Sequence, residues 1–209
     1  MFADRSILIT GASAGLGAAL AQALAAQGAR LTLMARRADR LQEVVEACQE
    51  VGGKAQAVVG DVTQPEDGVR LTQVALEAYG AIDGLIANAG LSMWARFDEV
   101  EDVSVFRRLM EVNYLGAVHC LHPAMPHLKK SRGMFVAISS IQGRIGVPHH
   151  TGYVASKHAL QGLCDALRME VADDGVAVLS VLLHWLRGTE LREHAFGADG
   201  EAMGTSRRK

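Results

Sequence analysis

Six short apolar runs recur along this chain of 209 residues, and longer segments with helical periodicity separate them. The runs are SILIT from residue 6, LTLMA from 31, AQAVVG from 55, IDGLIANAG from 82, GMFVAISS from 133 and VAVLSVLL from 176. They show little polar alternation, which is typical of parallel strands buried on both faces. The segments between them predict helices near residues 15–28, 38–51, 65–80, 102–129 and 152–173. This alternation predicts an α/β fold with a doubly wound parallel sheet and helices on both faces, in three α/β/α layers.

One domain accounts for most of the chain. Hydrophobic residues make up 49% and charged residues 21%, as in an ordinary globular protein, and no linker or repeat is visible. We expect residues 1–195 to form a single domain, and the Gly-rich, polar stretch 196–209 to be a loop or a disordered tail. Pro123 and Pro126 are expected to disturb the end of the fourth helix, because proline removes a backbone hydrogen bond.

Charge and cysteine usage limit the partners. The chain has 21 basic and 23 acidic side chains, and the net charge of −2 gives no electrostatic basis for nucleic-acid binding. Cys48, Cys120 and Cys164 are far apart, which predicts reduced thiols and neither a disulfide nor a metal framework. No stretch reaches the roughly 18 apolar residues that a membrane span needs. We therefore expect a soluble cytoplasmic protein without a membrane span or a metal, whose partner is a small molecule.

A glycine-rich turn joins the first predicted strand to the first predicted helix. In TGASAGLG, which begins at Thr10, Gly11, Gly15 and Gly17 follow the spacing G-x-x-x-G-x-G. Glycines there let the backbone approach a pyrophosphate, and the helix N-terminus offers free amides to the anion. Such turns also close α/β corners that bind nothing, but the strand-turn-helix context favours a dinucleotide site.

The second predicted strand ends in MARRADRL, where a dinucleotide fold places the group that contacts the adenosine ribose. An acidic residue would accept a hydrogen bond from the 2′-hydroxyl of NAD, whereas this chain offers Arg36 and Arg37. A guanidinium suits a 2′-phosphate through charge-assisted hydrogen bonds, so the sequence predicts NADP (NADPH), with Arg36 as the preferred contact. The alternative is that Arg36, Arg37 and Arg40 are only the solvated start of a helix.

Polar and small residues follow three more strands. Asp61 follows the third strand in GDV, ANAG ends the fourth at residues 87–90, and Ser139 and Ser140 end the fifth. Each is also compatible with an ordinary turn or cap. Because the carboxyl ends of parallel strands share one edge of a sheet, and ligands bind there, these residues together outline one crevice.

The glycine turn, the NAG tripeptide, Asn113, Ser140 and the pair Tyr153 and Lys157 occur in the order and spacing of the short-chain dehydrogenase/reductase family. The chain resembles that family over residues 5–195, and in particular its NADP-dependent carbonyl and hydroxysteroid-type reductases. The resemblance implies a Rossmann fold, hydride transfer between NADPH and a small hydrophobic ketone or alcohol, and a homodimer or homotetramer.

The resemblance also implies a role for each matching residue. Tyr153 would be the general acid/base, Lys157 would lower its pKa and hold the nicotinamide ribose, Ser140 would orient the substrate carbonyl, and Asn113 would support a water in a proton relay. A free phenol has a pKa near ~10, and a neighbouring ammonium stabilises the phenolate. Four residues along a helix rise by ~6 Å, which brings Tyr153 and Lys157 over one patch of the crevice. The implied cofactor-binding set is Gly11, Ser13, Gly15, Leu16, Gly17, Arg36, Arg37, Asp61, Val62, Asn88, Ala89, Gly90, Tyr153, Lys157 and Thr189.

The chain departs from the family pattern after the sixth predicted strand. A Pro-Gly pair and then a threonine are expected there, and Thr189 matches the threonine, but Leu183, His184 or Trp185 stand in place of Pro-Gly. Bulky side chains at such a position would crowd a nicotinamide. Relatives also continue with a last strand and helix, which we expect this chain to lack. A shortened chain, an incomplete sequence or a divergent protein with impaired activity would each account for these departures.

Two functions remain open on the sequence alone: an NADPH-dependent short-chain oxidoreductase, and a catalytically impaired relative that binds nucleotide or forms oligomers. A sugar-nucleotide epimerase is disfavoured because the chain is too short for an added substrate domain. Met93 and Trp94 either line an apolar substrate pocket or serve packing. His149 and His150 are adjacent, which suits a pocket wall better than a shared metal.

Overall fold

The structure is a computed structural model that describes residues 2–184, 186, 190–191 and 193–204. Within these residues six parallel strands form one sheet in the order β3-β2-β1-β4-β5-β6. The strand order reverses between β1 and β4, which confirms the doubly wound sheet that the sequence predicts. The strands are β1 (Ser6–Thr10), β2 (Arg30–Ala35), β3 (Lys54–Val59), β4 (Gly84–Ala87), β5 (Met134–Ser140) and β6 (Ala177–Leu183).

Six α-helices lie within the described residues. Local sequence explains several of their ends: α3 begins with Pro65, carries Glu66 and Asp67 in its first turn, and stops at Gly80, whose φ of 72° is left-handed. The helices are α1 (Gly15–Ala25), α2 (Ala38–Glu50), α3 (Pro65–Tyr79), α4 (Ser104–Met110), α5 (Gly116–Ser131) and α6 (Thr151–Glu170).

The helices cover both faces of the sheet and create two cores. One core packs α1 and α2 against the sheet around Ile9 and Leu41, and the other packs α3, α5 and α6 around Leu8 and Phe135. Leu8 and Ile9 are neighbours on β1, yet each is fully buried in a different core. The two-sided burial explains why the strands read as continuous apolar runs in the sequence.

The fourth predicted helix, 102–129, is divided in the structure. After α4, one π-helical turn (Glu111–Leu115) connects it to α5. The expectation that Pro123 and Pro126 disturb the helix end is wrong, since both lie inside α5, which continues to Ser131. Burial of α5 against α3 and the sheet outweighs the backbone hydrogen bonds that the prolines remove.

The segment 193–204 packs beside the loop that follows β4. Phe196 forms a parallel bridge with Met93, and its carbonyl accepts a hydrogen bond of 2.9 Å from the backbone N–H of Trp94. Arg108 on α4 donates to the carbonyl of Gly200 at 2.9 Å and lies 4.3 Å from the centre of the Phe196 ring. These contacts fix the part of the segment that faces the carboxyl edge of the sheet.

Candidate active site

A large cleft opens along the carboxyl edge of the sheet. Its volume is about 1240 Å³, and it extends from the glycine turn after β1, past the end of β2, to Tyr153 on α6. Its position follows from the topology, because the reversal between β1 and β4 separates the first crossovers and leaves a crevice between them.

The glycine turn has the shape of a close-approach loop. Gly11 and Gly15 have φ values of 64° and 53°, in the left-handed region that L side chains avoid. At Gly17 on α1, an added Cβ would overlap the Gly11 carbonyl oxygen, so helix and strand meet too closely for any side chain there. Gly17 therefore lies behind the cleft and shapes it, whereas Gly11 and Gly15 line it.

Thr10 and Asn88 tie the glycine turn to the end of β4. The Thr10 hydroxyl accepts hydrogen bonds of 3.1 Å from the backbone N–H groups of Asn88 and Ala89. The Asn88 side chain in turn donates to the carbonyls of Thr10 and Gly11, at 3.0 and 3.1 Å. These reciprocal bonds hold the two loops in fixed register on opposite sides of the sheet reversal.

The arginines after β2 differ in their surroundings. The side chain of Arg36 is 68% exposed and lies 3.7 Å from the Asp61 carboxylate. Arg37 turns toward the glycine turn, where it donates to the Ser13 hydroxyl at 3.5 Å and to the Glu190 carboxylate at 3.1 Å. Arg40 donates to the other oxygen of Glu190 at 2.7 Å. Arg37 thus faces the glycine turn more directly than Arg36 does.

Tyr153 lies in the first turn of α6 and is only 7% exposed. Burial raises the pKa of Tyr153, and a hydrogen bond with the Ser140 side chain opposes that rise. The Ser140 hydroxyl also accepts from the backbone N–H of Gln142 at 3.2 Å and donates to the carbonyl of Leu183 at 3.3 Å. Because a hydroxyl carries one proton, Ser140 can donate to Leu183 or to Tyr153, but not to both at once.

Lys157 is 4% exposed and lies one helical turn beyond Tyr153. Its Nζ donates to the carbonyl of Ile138 at 2.9 Å and lies 5.8 Å from the centre of the Tyr153 ring. Burial lowers the pKa of Lys157 to about 8. An ammonium that loses its proton this readily has few compensating contacts, so an additional acceptor in the cleft would stabilise its charged form.

Asn113 lies in the π-helical turn and is 1% exposed. Its Oδ1 accepts from the backbone N–H of Leu91 at 2.8 Å, and its Nδ2 donates to the Leu91 carbonyl and to the Ser156 hydroxyl, both at 2.9 Å. Ser156 donates onward to the carbonyl of Tyr153 at 2.8 Å. Asn113 therefore connects the loop after β4 to the backbone that carries Tyr153.

Apolar and aromatic side chains form the wall beyond Tyr153. The Trp94 ring stacks on His149 with centroids 5.8 Å apart and meets the edge of His150 at 4.9 Å. His150, in turn, meets the Tyr153 ring at 6.3 Å, and its Nδ1 lies 2.9 Å from the carbonyl of Pro148. Apolar residues of the cleft near Trp94 and Tyr153 include Leu91, Met93 and Phe196.

The structure brings most of the predicted site residues to one cleft. Those that line it are Gly11, Ser13, Gly15, Leu16, Arg36, Arg37, Asp61, Val62, Asn88, Ala89, Gly90, Ser140, Tyr153 and Lys157. Gly17 and Asn113 lie behind its surface. The predicted contact Thr189 falls outside the described residues, as does Trp185. Leu183 and His184, the first residues in place of the expected Pro-Gly, line the cleft.

Two residues form hydrogen bonds at the site but were not predicted from the sequence, Ser156 and Glu190. Ser156 lies inside the stretch YVASK, where its spacing of three from Tyr153 is the only available signal. Glu190 follows the predicted Thr189 directly, but no motif connects it with arginines some 150 positions earlier in the chain.

The cleft fits a dinucleotide. Gly11 and Gly15, both left-handed, line the cleft at the N-terminus of α1, where a backbone without side chains suits the close approach of a pyrophosphate. At the other end, a Cβ added to Gly90 would lie 3.3 Å from Asn113 Oδ1 and 3.7 Å from Lys157 Nζ, so glycine keeps the space in front of these groups clear.

Comparison with known proteins identifies the family. A sequence profile of the short chain dehydrogenases matches residues 5–198. The chain therefore belongs to the short-chain dehydrogenase family, and the resemblance seen in its motifs is confirmed.

The chain is similar to several named members of that family. The 11-beta-hydroxysteroid dehydrogenase-like 4A protein of Arabidopsis thaliana is 39% identical over 175 residues, which cover 83% of this chain and 58% of the plant protein. A short-chain dehydrogenase from Streptomyces avermitilis is 32% identical with a TM-score of 0.81, covering 88% of this chain and 67% of the other. NAD+-bound xylitol dehydrogenase is 27% identical with a TM-score of 0.82, covering 87% and 70%.

The chain thus spans little more than half the length of the plant relatives that it matches. Within its described residues, no helix is both long and apolar enough to cross a membrane. The same residues contain no group of three His, Cys, Asp or Glu side chains arranged to hold a metal ion.

Proposed function

We propose that the protein is an NADPH-dependent short-chain oxidoreductase that transfers hydride between the nicotinamide and a hydrophobic ketone or alcohol. One observation carries the proposal: the buried Tyr153 hydroxyl shares a hydrogen bond with Ser140 and lies one helical turn from the buried Lys157, in the same cleft as the glycine turn. Tyr153 and Lys157 can transfer a proton, and Ser140 can donate a hydrogen bond to an oxyanion. This combination at one end of the cleft suits carbonyl chemistry.

Each side chain has a distinct task in this proposal. Tyr153 is the general acid in reduction and the general base in oxidation, since a phenol can give its proton to a substrate oxygen or take it back. Ser140 turns its hydroxyl from the Leu183 carbonyl to the same substrate oxygen and stabilises the developing alkoxide. When bound, the nicotinamide supplies or accepts the hydride.

Lys157 supports Tyr153 by electrostatics and by positioning. Burial raises the pKa of Tyr153, so the protein without cofactor favours the neutral phenol. The Lys157 ammonium, held at the Ile138 carbonyl, opposes that effect once an added acceptor such as a ribose hydroxyl keeps it charged. Asn113 acts through Ser156 on the backbone of Tyr153 and is therefore a positioning residue. In this proposal it also supports the water of a proton relay.

The preference for NADPH rests on charge at the adenosine end. Arg36 and Arg37 line the cleft near Ser13, and Arg40 follows on α2. Asp61 lies 3.7 Å from Arg36, and Glu190 is paired with Arg37 and Arg40. Guanidinium groups beside the Ser13 hydroxyl suit a 2′-phosphate. The apolar wall formed by Met93, Trp94 and the residues around them favours a hydrophobic substrate.

The test compares Tyr153→Phe with Tyr79→Phe. We expect Tyr153→Phe to lower kcat for ketone reduction by about 10²–10⁴-fold, the usual contribution of a general acid, with NADPH affinity within about twofold of wild type. Tyr79 donates to the Leu31 carbonyl away from the cleft, so Tyr79→Phe should leave kcat unchanged. Full turnover by Tyr153→Phe would remove Tyr153 from the acid role.

One observation favours a second candidate, a nucleotide-binding relative with impaired catalysis. In the structure the Ser140 hydroxyl lies within hydrogen-bond distance of the Leu183 carbonyl, 3.3 Å away, at a position where the family pattern has a different sequence. If that bond persists, Ser140 cannot stabilise the substrate oxygen. Under this alternative NADPH binds, as fluorescence titration would show, yet no ketone or aldehyde in a broad panel oxidises it.

A further inference from the structure

An internal carboxylate occupies the arginine cluster at the adenosine end of the cleft. Glu190 Oε2 accepts from Arg37 at 3.1 Å, and Oε1 accepts from Arg40 at 2.7 Å. His194 Nε2 lies 3.3 Å from the same carboxylate. Glu190 reaches these groups from the segment after β6, across the mouth of the cleft that both it and Arg37 line.

The donors around Glu190 are those that a 2′-phosphate would use. Arg37 contacts Glu190 and Ser13 at the same time, and Ser13 belongs to the glycine turn that faces the pyrophosphate of a dinucleotide. A phosphate and a carboxylate both take paired hydrogen bonds from guanidinium groups, so they compete for the same N–H donors. Both cannot be held by Arg37 and Arg40 in the present geometry.

We propose that Glu190 is a specificity-determining residue that competes with the 2′-phosphate of the cofactor for Arg37 and Arg40. The inference rests on the proposed use of NADPH. It predicts that binding of a 2′-phosphorylated nucleotide displaces Glu190 from the arginines, whereas a nucleotide with a free 2′-hydroxyl binds without breaking these ion pairs. Glu190 therefore weakens selection for NADPH over NADH, which the arginines alone would make stronger.

The charge of Glu190 and its choice of arginines define the competition. Hydrogen bonds from Arg40, Arg37 and His194 lower the pKa of Glu190 to about 2, so the carboxylate is charged at neutral pH. Arg36, by contrast, is paired with Asp61 at 3.7 Å and not with Glu190. The competition therefore concerns Arg37 and Arg40, the two arginines bonded to Glu190, and not the whole basic cluster.

The experiment measures the binding of two nucleotide fragments by calorimetry, without any need for turnover. Adenosine 2′,5′-bisphosphate carries the 2′-phosphate, and adenosine 5′-monophosphate lacks it. We expect Glu190→Gln to tighten binding of the bisphosphate by about threefold to tenfold, as expected when a partly exposed ion-pair network no longer competes. Binding of the monophosphate should change by less than about twofold, since it makes no demand on Arg37 or Arg40.

A charge-matched control separates competition from general electrostatics. Glu43 lies on α2 three positions after Arg40 and raises its pKa through charge alone, after the larger effect of Glu190. Glu43→Gln removes the same unit of negative charge without releasing a bonded guanidinium. We expect it to change the affinity for the bisphosphate by less than twofold. An equal gain in both variants would show that net charge, and not occupation of the site, explains the effect.

The outcomes distinguish this inference from the proposed function. If wild type prefers the bisphosphate and Glu190→Gln leaves that preference unchanged or weaker, Glu190 does not compete, and the proposed cofactor stands. If neither wild type nor Glu190→Gln distinguishes the two fragments, the use of a 2′-phosphorylated cofactor fails, and the competition fails with it. A larger preference in Glu190→Gln than in wild type supports both.

Discussion

Lys157, to which we assign a role in the proposed reaction, also lowers the stability of the fold. Its ammonium is buried and makes one hydrogen bond of 2.9 Å, to the Ile138 carbonyl. The lowered pKa, about 8, records that the folded protein disfavours the charged form relative to the unfolded chain. Below that pH the native state carries a buried charge, and this charge lowers the free energy of unfolding.

We therefore expect Lys157→Met to stabilise the protein at pH 7 while it abolishes turnover. Removing the burial cost contributes roughly 3 kcal/mol and losing the hydrogen bond costs roughly 1 kcal/mol, so the net gain is about 2 kcal/mol. Because the folded pKa is depressed, the unfolded state binds more protons between pH 8 and 10.5, and wild type recovers stability as the pH rises through that window. The advantage of Lys157→Met should shrink accordingly.

Urea denaturation of both proteins at pH 7 and at pH 10 checks this prediction, with Lys130→Met as the control at an exposed lysine of α5. Comparison of variant with wild type at the same pH cancels the titration of other groups. A Lys157→Met protein that is less stable than wild type at pH 7 would mean that the hydrogen bond to Ile138 outweighs the cost of the buried charge.

At the scale of elements, the sequence predicted the strands and most helices because their patterns are local. Each predicted apolar run overlaps an observed strand, and the predicted helices 38–51 and 65–80 differ from α2 and α3 by one residue. The division of the fourth helix had no such signal, since the π-helical turn at Glu111–Leu115 depends on how Asn113 is bonded to Leu91 and Ser156. Those partners are distant in sequence.

The expectation that the prolines disturb the end of α5 was wrong for a related reason. Pro123 has no N–H, so the carbonyl of His119 lacks its helical partner four residues later. That carbonyl lies against Gly68 of α3, where a Cβ would overlap it. The small residue on α3 lets the two helices approach closely, and the packing that results keeps α5 intact across both prolines. The helix propensity of the α5 sequence carries no information about a glycine on another helix.

We expect two Gly→Ala substitutions to have opposite effects on stability, one at the contact between α3 and α5 and one at an open position of α6. Gly68→Ala should destabilise the protein by about 2–4 kcal/mol, because the new methyl group meets the rigid His119 carbonyl. Gly162 on α6 has no atom within 4 Å of an added Cβ, so Gly162→Ala should stabilise by about 1 kcal/mol through helix propensity. Thermal unfolding of the two variants beside wild type makes the comparison, and equal shifts would show that the α3/α5 crossing is not tight.

On the scale of the whole molecule, the candidate site could be predicted in part only. The glycine turn, the strand ends and the Tyr153 helix meet at one edge because the topology requires it, so their common location follows from the pattern of strands and helices. The contact between Glu190 and Arg40 does not follow, since it depends on where a segment without periodicity comes to rest. The same is true of the stacking between Trp94 and His149.

The two edges of the sheet differ in their protection. β3 begins with the exposed Lys54, whereas β6 contains no charged residue and no proline and exposes Leu179 and Leu182 by 47% and 44%. Among the described residues no strand pairs with the outer edge of β6. Uncharged, apolar edge strands are templates for pairing with another chain, and proteins normally block them with charges or cover them. The homodimer or homotetramer expected from the family remains a separate prediction.

For the chain of residues 1–209 we therefore predict concentration-dependent association through β6, which Leu179→Lys should reduce. A lysine on the edge must bring its charge beside a second strand, which disfavours pairing, while its stem stays in water because the site is already half exposed. Val51→Lys is the control, because Val51 is 51% exposed after α2 and far from β6 in the sheet order. Sedimentation velocity over a range of concentrations should show smaller weight-average species for Leu179→Lys than for wild type or Val51→Lys. Identical concentration dependence in all three proteins would exclude the β6 edge as the route of association.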